Sequence, residues 1–156
     1  ALFALDNLWD GIGGVVASDP TVKYLSGKVT IYSSSPELSR KAMVYYLDKH
    51  FGDRKGLITS KNPETWTEEQ AAMFDEIFCG ANYKENYQIL NNYVKSMGDS
   101  IPPLIHLYIN LSETMKTFGT TFDPDFGDCY DTAMIITIDD IYQDKKDRYI
   151  NSFFNN

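Results

Sequence analysis

The sequence predicts an α+β fold: a small, mainly antiparallel sheet covered by helices, in a single domain over 1–156. Three observations carry that prediction. Helical patterns fill most of the first hundred residues, with one short alternating stretch among them. Two strand candidates, Leu104–Leu111 and Ala133–Asp140, stand close together near the end. The resulting order (helix, strand, three helices, two strands, helix) lacks the steady alternation that builds a doubly wound parallel sheet.

The elements follow from local chemistry. Leu2, Leu5, Leu8, Trp9, Ile12, Val15 and Val16 recur every three or four residues, which makes one apolar stripe on a helix. Gly11, Gly13 and Gly14 weaken its second half, so an early end is expected. The same glycines do not form a phosphate loop, because no strand precedes them and no Lys-Ser/Thr follows. Asp19-Pro20 marks a turn, and Lys28–Tyr32 alternates as a short strand does. Ser35, Pro36 and Glu37 read as a helix start, with an N-cap hydroxyl, a proline at the first position and an acid at the positive dipole end. Leu38, Ala42, Met43, Tyr46 and Leu47 form its buried face, and Gly52 stops it.

Leu57-Ile58-Thr59 is a short extended piece in an otherwise polar stretch. Thr67 with Gln70 makes a capping box, opening a helix through Met73, Phe74, Ile77 and Phe78. Tyr83, Tyr87, Leu90, Val94 and Met97 mark the next helix, ending at Gly98. Ile101-Pro102-Pro103 leads into the first late strand. There Ile105, Leu107, Ile109 and Leu111 share the core face, while His106, Tyr108 and Asn110 share the other. On the second strand Met134, Ile136 and Ile138 point inward. Ile141, Tyr142, Tyr149, Ile150, Phe153 and Phe154 outline a final amphipathic helix.

Between the two late strands lies one long loop at about 112–132, and long ordered loops are commonly functional. Its residues Phe118, Phe122, Asp123, Asp125, Phe126, Asp128 and Tyr130 form the candidate partner-binding surface. Asp131 adds another carboxylate. The run Asp123–Asp128 fails the calcium-loop template, because Gly127 comes one position early and Met134 stands where the bidentate glutamate belongs. The expectation is a solvated turn whose Asp side chains cap their own backbone, with no metal.

Composition narrows the function classes. A net charge of −8, from 22 acidic against 14 basic side chains, repels phosphate backbones and excludes general nucleic-acid binding. The aromatic share is 14%, with 11 Tyr and 9 Phe, and tyrosine suits surfaces buried against partners. Cys79 and Cys129 are too few for a disulfide framework or zinc site and read as free thiols of a reducing compartment. No apolar run approaches the ~18 residues of a membrane span. The N-terminal stretch lacks a basic start and is interrupted by Asp6 and Asp10, unlike a signal peptide. An intracellular (cytoplasmic) or virion location follows as the expectation.

Catalytic signals are sparse. His50 sits at a helix C-terminus, where imidazole complements the dipole, and His106 sits on a strand beside a tyrosine. Nucleophile-elbow, Walker, His-Glu-x-x-His and Cys-x-x-Cys motifs are missing. No catalytic residue and no cofactor is therefore assigned.

Two resemblances bear on function. Pro103–Asn110 with Tyr130–Met134 is similar to a strand and helix start of the Clp protease subunit family. That family's Ser-Pro-Gly-Gly segment is replaced here by Leu111-Ser112-Glu113-Thr114 and no catalytic serine follows, so it is set aside. The layout as a whole resembles small phage tail-terminator and neck proteins, in an N-terminal amphipathic helix, the segment IPPLIHLYINLSE, a long loop and the segment AMIITIDDIY. This resemblance implies a ring-forming homo-oligomer whose loops reach protein partners. The leading expectation is thus a non-enzymatic assembly subunit. A metal-dependent enzyme or binding module centred on the Asp-rich loop is the alternative, and an acidic inhibitor of a basic partner is a further one.

Overall fold

Helix α1, Leu2–Ser18, runs through its three glycines without ending early. The structure is a computed structural model that describes residues 2–154, with side chains from Asn7 onward. Leu2 and Leu5 of the predicted stripe lie outside the described side chains. Gly13 explains the continuity: a Cβ built there would stand 1.6 Å from the Tyr149 carbonyl oxygen. The glycine is a notch into which another backbone fits, and tertiary contact outweighs its low helix propensity.

Strand β1, Tyr24–Tyr32, is longer than the predicted stretch and leads to helix α2, Glu37–Phe51. Ser35 does not cap this helix through its side chain; its backbone N–H donates to Tyr32 O at 3.0 Å instead. Ala42, Met43, Tyr46, Leu47 and Phe51 are almost wholly buried, while Leu38 of the predicted face is exposed. Helix α3, Glu68–Ile77, has the predicted capping box, with Thr67 and Gln70 bonded reciprocally at 3.2 and 3.0 Å. Helix α4, Tyr83–Ser96, starts on Asn82, whose side chain accepts from Lys84 N and Glu85 N.

The segment predicted as the first late strand is instead helix α5, Pro103–Ile109. The reason is a degenerate pattern. Ile105 and Ile109 are four residues apart, so they share a face at a period of 2 and also at 3.6. Both are buried, and Pro103, fixed in φ and lacking an N–H, suits the first helical turn. The predicted long loop is also overturned. Strand β2, Lys116–Asp123, occupies its centre, and β3, Cys129–Thr137, begins inside it. A bulge between Thr117 and Thr120, with Gly119 at φ +81, breaks the alternation that would have revealed β2. Helix α6, Gln143–Tyr149, follows.

The fold is α+β, with a three-stranded antiparallel sheet in the order β1-β3-β2. Val29, Ile31, Thr132, Met134 and Ile136 face inward, toward α2 and the other helices. At the centre the Thr120 and Thr132 hydroxyls meet at 2.6 Å, which satisfies two buried polar groups across the strands. Tyr46 is wholly buried, and its hydroxyl donates to Tyr83 O at 2.8 Å. Helix α1 packs beside α6 at the opposite end from the β2–β3 turn. Among the described residues no helix is long and apolar enough to cross a membrane.

Candidate functional site

Four helices converge on one open cleft of about 540 Å³. Helix α1 contributes Trp9, α4 contributes Lys84, α5 contributes His106 and Asn110, and the start of α6 contributes Tyr142 and Lys145. Two exposed residues, His106 and Lys84, reach it from neighbouring helices. The His106 ring lies beside the Tyr87 hydroxyl, with Nδ1 and oxygen 3.2 Å apart. Asn110, one turn further along α5, donates to His106 O at 2.8 Å and fixes its amide against the imidazole. The helix that replaced the predicted strand is what brings these two side chains together.

Tyr142 and Tyr149 line the cleft, and Tyr83 stands behind Tyr142. The hydroxyls of Tyr83 and Tyr142 are hydrogen bonded at 2.7 Å. Burial first, and that bond second, push the Tyr83 phenol above its ordinary range, so it stays a neutral donor. The Lys84 ammonium lies 5.7 Å from the Tyr83 ring and 5.6 Å from the Tyr142 ring. Lys145 pairs with Asp144 at 3.4 Å. Asp144 lines the same cleft and offsets Lys145, so Lys84 beside the accessible imidazole is the positive group that favours an anion in a chain of net charge −8. An accessible imidazole has a ring nitrogen able to accept a proton.

His50 has a different environment. Its ring is half-buried against Tyr46, and burial first, then Lys49, lower its pKa. The Asn86 side-chain oxygen accepts from Gly80 N at 2.8 Å, which turns the amide nitrogen toward His50 Nε2 at 3.1 Å. An NH₂ group must donate, so Nε2 is the accepting nitrogen of a neutral ring.

The predicted partner-binding residues lie at the other end of the molecule, on the β2–β3 hairpin. Asp123 Oδ1 accepts from Asp125 N at 3.1 Å, which holds the turn Pro124–Phe126. Gly127 and Asp128 follow with left-handed φ values of 73 and 51. Phe126 is exposed under the Lys28 ammonium, 4.7 Å from its centroid, and Phe118 is partly buried on the outer sheet face. Phe122 and Tyr130 face each other at 5.1 Å, and the Arg40 guanidinium stacks 4.0 Å over Tyr130. Asp131 turns back to accept from Lys28 and Thr30. Among the described residues no group of three or more His, Cys, Asp or Glu side chains is placed to hold a metal ion. Cys79 is exposed and Cys129 buried, both as free thiols.

Sequence reasoning placed the emphasis on the hairpin and passed over the cleft. Lys84, Tyr142 and Lys145 lie far apart in the chain and form no motif. One signal was present: His106 and Asn110 at i and i+4 mark a helix face once Pro103 is read as its start.

Comparison with known proteins changes the functional class. The chain is 45% identical over 153 residues to a glycine N(alpha)-acyltransferase of Phocaeicola vulgatus, covering 97% of this chain and 46% of that protein. It is 44% identical over 155 residues to a protein of the same name from Bacteroides thetaiotaomicron, covering 97% and 45%. The chain thus spans about half the length of the curated relatives it matches. No protein-family model and no solved structure matches it.

These relatives overturn the expected phage tail-terminator or neck protein, and with it the non-enzymatic virion subunit. Both are named as enzymes. They agree with the alternative reading only in pointing to an enzyme, and assign nothing to the Asp-rich loop. The error has a physical root: acyl transfer to an amine needs neither a covalent nucleophile nor a metal, so missing motifs of those kinds say little about it.

Proposed function

We propose that this chain takes part in transfer of an acyl group to the amino group of glycine. The observation that carries this reading is identity of 44–45% spread over 97% of the chain, too extensive for one shared segment. The chemistry asks for three things. Glycine must be held by its carboxylate, its ammonium must lose a proton, and its nitrogen must meet an activated acyl carbon, in the simplest case a thioester. The nitrogen then forms the C–N bond as the C–S bond breaks, the thiolate takes up a proton, and N-acylglycine is released.

The cleft beside His106 supports two of these needs. Lys84 supplies positive charge for a carboxylate, and His106, positioned by Tyr87 and Asn110, supplies a proton acceptor. The acyl chain and its carrier have no assigned place in this cleft.

The test is a chimera in which this chain replaces the matching stretch of the Bacteroides thetaiotaomicron relative. Supplied with a fatty-acyl thioester, it is expected to release free thiol in a glycine-dependent manner, read with a thiol-reactive dye. A chimera that melts cooperatively yet releases no thiol above the glycine-free rate contradicts the reading.

A further inference from the structure

The two edges of the sheet are treated differently. The outer edge of β2 is occupied by the connection after α2: Asp53 N donates to Thr117 O, Glu64 N to Thr120 O, and Phe122 N to Asn62 O, at 2.8 to 3.0 Å. Pro63 bridges Thr121 in the same zipper. Among the described residues the outer edge of β1 has no such cover.

The register identifies the groups on that edge. Ile138 N donates to Lys23 O at 2.9 Å, one step beyond the pair Tyr24↔Thr137. In an antiparallel ladder, hydrogen-bonded pairs alternate with non-bonded ones. Leu25, Gly27, Val29 and Ile31 therefore direct their peptide groups to β3. Tyr24, Ser26, Lys28 and Thr30 direct theirs away from it. Among the described residues none of these outward N–H or C=O groups has a backbone partner, and the edge closes only at Tyr32 O, which accepts from Ser35 N.

Such an edge is unusual for a strand left to solvent. Exposed edges are commonly kept short, or guarded by proline, a bulge or free charges. β1 is nine residues long, regular in register with β3 throughout, and contains no proline. Its only charged side chain, Lys28, is drawn over the sheet by Asp131 and Phe126. Across the outer sheet face lies a trough of about 460 Å³ that meets β1 at Ser26, Gly27 and Lys28 and has Leu57, Ile58, Phe118 and Ile135 on its β3 and β2 side. Leu57 is 71% and Ile58 55% exposed.

We infer that the β1 edge receives a further β-strand, supplied by polypeptide of the kind the two relatives carry outside their matched half. Those proteins have more than half of their length beyond the match, enough polypeptide to supply a strand. An open edge with a regular row of donors and acceptors is the place where a strand adds with its backbone satisfied. The inference rests on the sheet and on the relatives' length, not on the acyl-transfer reading.

The experiment is amide hydrogen exchange resolved to single residues, on this chain alone and within the chimera. Alone, the amides of Ser26, Lys28 and Thr30 exchange at least a hundredfold faster than those of Gly27, Val29 and Ile31. In the chimera both sets are slow. A Ser26→Pro variant, which removes one outward donor without touching the β3 ladder, lowers the melting temperature of the chimera more than that of the chain alone. Slow exchange of both sets in the monomeric chain overturns the inference, and so does protection that appears only as the chain dimerises. A chimera that does not fold, or that leaves the outward set fast, also counts against it. A protected edge without N-acylglycine sinks the functional reading alone; product with an unprotected edge sinks this inference alone.

Discussion

At the scale of single residues, neighbours decide what each side chain does. Gly11 and Gly13 lie on the same helix with opposite consequences. A Cβ at Gly11 meets nothing within 4 Å, so Gly11→Ala is expected to stabilise by about 0.5–1 kcal/mol through helix propensity. Gly13→Ala gains the same propensity but drives a methyl into the Tyr149 carbonyl. The net loss is expected to reach about 2 kcal/mol, and thermal melts of the two variants separate the signs. Arg40 presents a second case. It is buried between Tyr130 and Glu64, 3.6 Å from the carboxylate, and among the described residues its Nε has no hydrogen-bond partner. Glu64→Gln leaves that charge without compensation, at an expected cost of about 3 kcal/mol by denaturant titration.

The two histidines differ in the same way. His50 has its pKa lowered by burial, so the unfolded chain binds its proton more readily than the folded one. Its contribution is intact above the ordinary imidazole value of 6.5 and is lost as pH falls from there through the lowered folded value. His50→Gln should therefore flatten the fall in melting temperature below about pH 6.5. His106 borders the cleft. In the chimera His106→Gln is expected to lower glycine-dependent thiol release about a hundredfold at unchanged melting temperature. Lys84→Met is expected to raise the KM for glycine with kcat largely kept.

At the scale of elements, legibility followed the strength of local signals. The capping box at Thr67–Gln70 was legible because both partners lie within one turn, and α3 begins where they predict. The inward face of β3 was legible because Met134 and Ile136 alternate and are buried, although the strand ends at Thr137 and Ile138–Asp140, predicted as its continuation, form a 3-10 turn. The segment after Pro103 was misread because i, i+4 spacing satisfies two periods at once. β2 was missed because a bulge at Gly119 shifts its register midway. Propensity pointed the right way there, since Thr117, Thr120, Thr121 and Phe122 are strand formers. The cleft was not legible at all, because its residues come from four elements that only packing brings together. Thiol labelling checks this arrangement independently: Cys79 should react in the native protein, and Cys129, buried on β3 with its thiol pushed up by burial, only on unfolding.

At the scale of the whole molecule, three features fit together. The sheet is small and open on one edge, the chain spans about half of its curated relatives, and the helical end carries a cleft with positive side chains in an acidic protein. Composition suggested a partner-binding protein because it registered aromatic rings and charge but not their places. Among the described residues six of those rings are buried and seven more pack partly buried against the core, as the cluster of Tyr45, Phe74 and Phe78 illustrates. The central claim is acyl transfer to glycine, and product identity tests it most directly. The chimera should convert isotope-labelled glycine and a fatty-acyl thioester into labelled N-acylglycine, seen by mass spectrometry and dependent on this chain's residues through His106→Gln. A folded chimera that yields only hydrolysed fatty acid, with no label in any acyl product, would contradict the account.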